Sequence, residues 1–244
     1  MQTVDLRGSP EPLTAVLAVP DGDGPHPAIV LLPAIAGVNA YTKAAAERLA
    51  GHGYVTLLLD YYAREGRAPD VSSPELVGRA VANLRDPLIL GDIGAAIDTL
   101  SAHPKVDSEK IATWGFCIGG MYAYLAGCEY AQLAGVVDFY GTVRYAATSE
   151  HKPVSPLDRA GELNAPLIGH FGDFDRLISG DDVEAFAGAL REHGKIYEFH
   201  AYRGAPHAFD EDFRATAFRP VAARQAWARS LCFLGWYLRG ELPR

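Results

Sequence analysis

A chain of 244 residues with 49% apolar side chains can bury about 70–75% of its unfolded surface without cross-links, and its net charge of −8 and pI near 5.4 exclude nucleic-acid binding as the main task. Three cysteines, outside any Cys-x-x-Cys or Cys/His cluster, argue against a disulfide framework or a structural zinc site and suit a reducing compartment. With no basic-then-apolar leader at Met1–Asp5 and no apolar run near the ~18 residues of a membrane span, the expectation is a cytoplasmic protein that binds no membrane.

The predicted elements alternate along the chain. Leu13, Ala15, Leu17 and Val19 mark a half-buried strand paired with Thr3 to Leu6, and a Gly/Asp/Pro turn follows over 20–27. Ala28-Ile29-Val30-Leu31-Leu32 is a continuous apolar run of the kind buried on both faces in a parallel sheet. Its exit, Pro33 to Asn39, leads to an Ala-rich helix over 40–50 that Asn39 can cap and that Gly51 and Gly53 end. Tyr54 to Leu59 is a second core strand. Beyond it a polar stretch with Pro69, Pro74 and two serines reads as a long connection that can wall a ligand crevice.

Ile89, Ile93, Ala96, Ile97 and Leu100 give one face of the next helix, and Lys110 to Phe116 the strand after it. Leu133 to Phe139 is another buried strand, 144–164 is irregular, and Pro166 to Gly172 is a strand whose exit is Asp173-Phe174-Asp175. Asp181-x-x-Glu184 resembles a capping box for a helix with Val183, Phe186, Ala187 and Leu190 on its apolar stripe. Ile196 to Tyr202 alternates as a strand, and Pro220 starts a long helix carrying Trp227, Leu231, Leu234 and Leu238. With no repeat and no linker, the chain reads as one α/β domain over 1–244 with a mostly parallel, doubly wound sheet flanked by helices. Its apolar helix faces serve equally as core or as interface, so the sequence assigns no oligomeric state.

Gly115-Phe116-Cys117-Ile118-Gly119-Gly120 lies between a strand and a helix and has the pattern of a nucleophile elbow with Cys117 at its tip. A thiolate is the attacking species, favoured beside a histidine or at a helix N-terminus. Cys128 and Cys232, in helix-like runs without such glycines, read as inert buried residues. A dinucleotide fingerprint would share the Gly-rich turn and use Asp138 on a ribose, but the glycine order is wrong and the turn lies mid-chain.

Among eight histidines only His207 stands in a loop just after a late strand. Cys117, Asp175 or Asp173, and His207 follow the order nucleophile, acid, base of the α/β-hydrolase fold; Asp175 is preferred because it lies farther into its loop and can turn toward the base. The oxyanion hole is expected from the N–H groups of Ile118 and Ile35.

These residues resemble the dienelactone hydrolase family in the elbow at 115–120, Ile35-x-Gly37-Val38-Asn39, Asp60 to Arg64, Gly91-Asp92, Tyr140-Gly141, His170 to Asp175 and His207-x-Phe209. The resemblance implies a cofactor-independent hydrolase with a Cys117, His207 and Asp175 triad opening an unsaturated lactone through an acyl-cysteine. It further implies substrate contacts from the region of Ala34, Tyr62, Phe139, Tyr140 and Phe209. Three positions depart from the family: Ala34 replaces a glutamate that helps ionise the cysteine, Phe139 a tyrosine, and Glu211 an arginine that binds the substrate carboxylate. The expectation is therefore a lactone, ester or thioester hydrolase of altered preference, with Arg79, Arg85, Arg144 and Arg176 as candidates for any anion contact. A non-catalytic small-molecule binder and an acyltransferase are the competing readings.

Overall fold

The apolar runs become the strands of one eight-stranded sheet in the computed structural model, which describes residues 1–6, 8, 9 and 13–241. These are β1 (Gln2–Asp5), β2 (Thr14–Ala18), β3 (His26–Leu32), β4 (Val55–Leu59), β5 (Val106–Phe116), β6 (Gly135–Phe139), β7 (Leu167–Gly172) and β8 (Tyr197–Tyr202). Their spatial order is β1-β2-β4-β3-β5-β6-β7-β8. β1 and β2 pair antiparallel with each other, β2 antiparallel with β4, and β3 to β8 run parallel. Central strands such as β4 and β6 are buried throughout, which is why they are mostly apolar rather than alternating.

Helices cover both faces. α1 (Ala40–Gly51) and α6 (Pro220–Arg239) lie on one side, where Trp227 meets Trp114 of β5 with ring centres 4.6 Å apart and Arg48 of α1 sits 3.9 Å over the Trp227 ring. α3 (Asp86–Ser101), α4 (Ile118–Glu129) and α5 (Gly180–Glu192) lie on the other, joined by contacts such as Tyr124 of α4 against Phe186 of α5. Burying each such large side chain contributes roughly 1.5–3 kcal/mol. Because β3 to β8 are parallel, all their carboxyl ends open at one rim, and the loops that leave that rim can converge on a single site.

Three local expectations are corrected. The stretch read as a long connection after β4 contains α2 (Pro74–Asn83), with the Ser73 hydroxyl accepting from Leu76 N–H and Pro74 at the first helical turn. α5 is capped by Ser179, whose hydroxyl accepts from Asp182 N–H, and not by Asp181. Cys232 is exposed on α6, whereas Cys128 is buried and its thiol is pushed up to about 11 by burial. No helix among the described residues is long and apolar enough to cross a membrane.

Candidate active site

The strand β5 ends at Phe116 and α4 begins at Ile118, leaving Cys117 alone to turn the chain. It does so at φ 56°, ψ −122°, a strained conformation for a residue with a Cβ. The turn closes only because its neighbours are glycines. A Cβ on Gly115 would lie 1.9 Å from the Gly119 carbonyl oxygen, and one on Gly119 would lie 2.3 Å from the Leu32 carbonyl oxygen. Backbone on both sides leaves no room to yield. Gly115→Ala is therefore expected to cost more than about 4 kcal/mol and to leave little folded protein, while Gly78→Ala in α2, with open space around it, gains up to about 1 kcal/mol. Urea unfolding of both variants checks this contrast.

The loop after β7 and the loop after β8 deliver the other two groups. The Asp175 carboxylate accepts from Leu177 N–H (2.8 Å) and Ile178 N–H (3.2 Å), which fixes it as an Asx turn with its other oxygen free to face His207. That oxygen, Oδ2, is 2.8 Å from His207 Nδ1, and His207 Nε2 is 3.1 Å from Cys117 Sγ. Asp173 is occupied elsewhere, accepting from Gly204 N–H at 2.6 Å and so tying the β7 exit to the β8 exit. Of the two candidate acids, Asp175 is the one that contacts His207. Burial alone would push the His207 imidazole down, but Cys117 and Asp175 on either side more than offset it and raise it to about 10.

Of the expected oxyanion donors, Ile118 is the first residue of α4 and Ile35 lies just beyond β3, in a turn closed by Gly37 N–H on the Ala34 carbonyl (2.9 Å). Among the described residues neither N–H has a protein acceptor. Tyr62 supports this turn from behind, its hydroxyl donating to the Ile35 carbonyl at 3.1 Å. Ala34 is buried at the β3 exit.

Two expected substrate contacts are corrected. Phe139 is fully buried, stacked on Trp114 at 5.4 Å and facing α6, because its neighbour Asp138 takes the α4 face of β6. Phe209 is likewise buried, packed edge-on beneath Tyr140 at 5.2 Å. Tyr140 itself lies against the His207 ring at 5.1 Å, and its buried hydroxyl has no hydrogen-bond partner among the described residues. Glu211 is buried and already paired with Arg214, so this position offers a neutralised pair and no free cation. Of the candidate arginines, Arg79 pairs with Glu75, Arg144 with Asp182, and Arg176 lies 5.7 Å over Phe174.

Several residues of this region escaped sequence reasoning. Asp138 is buried against α4, where its Oδ1 accepts from Gly141 N–H at 2.7 Å; a carboxylate inside an apolar strand run was the available signal. Its burial leaves it no ribose-binding part. Asp210 accepts from Trp227 Nε1 (3.0 Å) and from the Tyr41 hydroxyl, anchoring the loop that carries His207 to α6 and α1. Asp86 collects Tyr122 (2.8 Å), Tyr145 (2.7 Å) and Lys152 (3.0 Å), tying the irregular segment after β6 to α3. Those partners are distant in sequence and carry no motif. Among the described residues no cluster of three or more His, Cys, Asp or Glu side chains offers a metal site.

The arrangement is that of a thiol, an imidazole and a carboxylate in consecutive hydrogen-bond contact at the rim of an α/β sheet, beside a helix N-terminus. The dienelactone hydrolase family model matches residues 13–238. A Bradyrhizobium protein named as a 2-oxo-3-(5-oxofuran-2-ylidene)propanoate lactonase is 41% identical over 241 residues, covering 99% of this chain and 96% of its own. A Yersinia pestis protein named as a carboxymethylenebutenolidase is 33% identical over 231 residues, 94% of this chain and 85% of its own. A Klebsiella pneumoniae crystal structure assigned to the dienelactone hydrolases superposes with a TM-score of 0.89 at 30% identity, covering 97% of this chain and 99% of that one. The chain belongs to the dienelactone hydrolase family of lactone and ester hydrolases.

Proposed function

We propose that the protein opens an unsaturated lactone through an acyl-cysteine on Cys117, with His207 as proton carrier and Asp175 as its orienting acid. The observation that supports this most is the unbroken chain of contacts from sulfur to imidazole (3.1 Å) to carboxylate (2.8 Å) at the rim of the family's sheet. An imidazole held at about 10 carries its proton near neutral pH and is the counter-ion that a thiolate nucleophile needs. Sulfur attacks the lactone carbonyl, and the N–H groups of Ile118 and Ile35 receive the negative oxygen. The ring C–O bond then breaks, and the departing oxygen takes the proton from His207 Nε2. Neutral His207 next removes a proton from water, the hydroxide adds to the thioester, and the acid leaves with Cys117 restored.

The lactone in the name of the Bradyrhizobium relative, a 5-oxofuran-2-ylidene carrying an oxo-acid side chain, is the substrate class we propose for this chain. The Glu211–Arg214 pair fits a preference that differs from family members with an arginine at 211. The same reading keeps a single α/β unit, a small-molecule substrate, no cofactor and a cytoplasmic setting. Quenching the protein during p-nitrophenyl acetate turnover and mapping peptides by mass spectrometry tests it. Acetyl label on the peptide containing Cys117, and a loss of at least about 10³ in kcat with no label in Cys117→Ala, are expected. Turnover that survives Cys117→Ala would remove the acyl-cysteine from the mechanism.

A further inference from the structure

The sheet ends in two edge strands, and they differ. β1 is short, whereas β8 runs for 6 residues, Tyr197–Tyr202, and carries none of the lysine, proline or glycine residues that blunt an exposed edge. α6 packs chiefly over β5, β6 and β7. In the parallel register with β7, the Ile196 carbonyl accepts from Leu167 N–H at 3.0 Å and the Tyr202 carbonyl from Asp173 N–H at 3.2 Å, so the even-numbered residues turn their peptide groups toward β7. The N–H and C=O groups of Tyr197, Phe199 and Ala201 therefore point away from the sheet, and among the described residues they have no backbone partner. Beside this edge lies a groove of about 390 Å³ walled by Ile196, Glu198, Arg229, Cys232, Trp236 and Tyr237. Ile196 is 60% and Trp236 45% exposed, which sets apolar surface next to unmade backbone bonds.

The pattern selects its own partner. In an antiparallel pair the residues that exchange both hydrogen bonds recur at every second position. With a twofold axis at Phe199, that residue meets its own counterpart and Tyr197 meets Ala201 at either end, so every outward N–H and C=O of the strand is used. The side chains agree with this register. On the α5 face, where Phe199 packs on Phe171 at 5.2 Å and Phe186 at 5.3 Å, the two Phe199 rings adjoin and the large Tyr197 lies opposite the small, exposed Ala201. On the α6 face Glu198 of one copy falls opposite His200 of the other, extending the pair these residues form within one chain at 2.6 Å. β1 of a second copy is the poorer partner, being shorter, and a β8-to-β1 contact would repeat without closing. We propose that β8 is the dimer interface of this protein: two copies join edge to edge about a twofold axis at Phe199, uniting their sheets, and each covers the groove of the other.

Analytical ultracentrifugation of the unsubstituted protein at about 50 μM is expected to give twice the 26.3 kDa of one chain. Ala201→Pro removes an outward N–H and no bond to β7, so a folded monomer with an unchanged circular dichroism spectrum is expected. Glu198→Arg keeps every backbone group and sets like charge opposite His200 and beside Arg229. Its dimer is expected to dissociate at least about tenfold more readily, and it carries the test if the proline variant does not fold. Hydrogen exchange locates the contact: the amides of Tyr197, Phe199 and Ala201 should exchange more slowly as protein concentration rises. A monomer at the stated concentration, an open-ended series of higher oligomers, or a dimer that neither variant weakens would overturn the proposal. A partner other than a second copy on this edge would show itself as the first of these.

Discussion

His207→Ala is expected to lower kcat/KM for p-nitrophenyl acetate by about 10⁴, and Asp175→Asn by about 10³–10⁴, with both proteins remaining folded by circular dichroism. The two losses have different origins. In the proposed mechanism alanine removes the group that delivers a proton to the departing oxygen and later takes one from water. Asparagine keeps a side chain of the same shape near Nδ1 but takes away the charge that orients the ring and helps raise it to about 10. The sign of the pH dependence follows. In the unsubstituted protein His207 is protonated below about 10, so the rate is sustained through neutral pH and falls as the proton is lost on the alkaline side. In Asp175→Asn that alkaline limb moves to lower pH. A pH–rate profile of both proteins reads the shift directly. An unmoved limb, or a loss of only a few-fold in His207→Ala, would mean that another group carries the proton.

The parts of this site that could be read from sequence are those fixed by backbone. Gly115 and Gly119 stand where any Cβ would strike a carbonyl, so the elbow is written in residue types. The buried strands β3, β4 and β6 are likewise unmistakable, because burial on both faces favours apolar residues along the run, with Thr56 and Asp138 as the exceptions in β4 and β6. Side-chain direction was harder. The family resemblance implies substrate contacts from Phe139 and Phe209, yet both turn into the aromatic cluster under α6. The alternation of β6 holds the reason: with Asp138 facing α4, Phe139 must face the opposite layer. α2 was obscured because Ser73-Pro74 serves equally as turn chemistry and as a helix start, and only tertiary contact decides. The Asp86 cluster could not be read at all, since it joins α3, α4 and the segment after β6 through single side chains.

Asp138→Asn should make the protein more stable at pH 8 and bring the alkaline limb of its rate profile to lower pH, and the reason lies in where the carboxyl is buried. Oδ1 accepts from Gly141 N–H at 2.7 Å, and a Cβ on Gly120 or Gly141 would sit 2.1 or 2.4 Å from it, so the group is sealed between β6 and the first turn of α4. Burial raises it from the ordinary 3.8 to about 7, opposed by the Gly141 N–H and by the positive charge of His207. The native state thus holds a proton between pH 3.8 and about 7 that the unfolded chain has released. Stability must therefore fall as pH rises across that window and remain at the lower level above it. The full displacement corresponds to about 4 kcal/mol, and an amide that needs a partner for its own N–H returns part of it, leaving a gain of about 1–3 kcal/mol for asparagine at pH 8. Asparagine keeps the acceptor for Gly141 and has no charge to titrate, so its unfolding free energy should be nearly flat from pH 5 to 8. The activity responds at higher pH, where that limb lies. Above pH 7 the Asp138 charge favours protonated His207, and its removal draws the alkaline limb of the rate profile down from about 10. Urea denaturation at pH 5 and pH 8, beside pH–rate profiles of both proteins, separates the two effects. If both proteins lose the same stability between those pH values, Asp138 is not the group that titrates. If only the rate profile fails to move, its charge does not act on the imidazole.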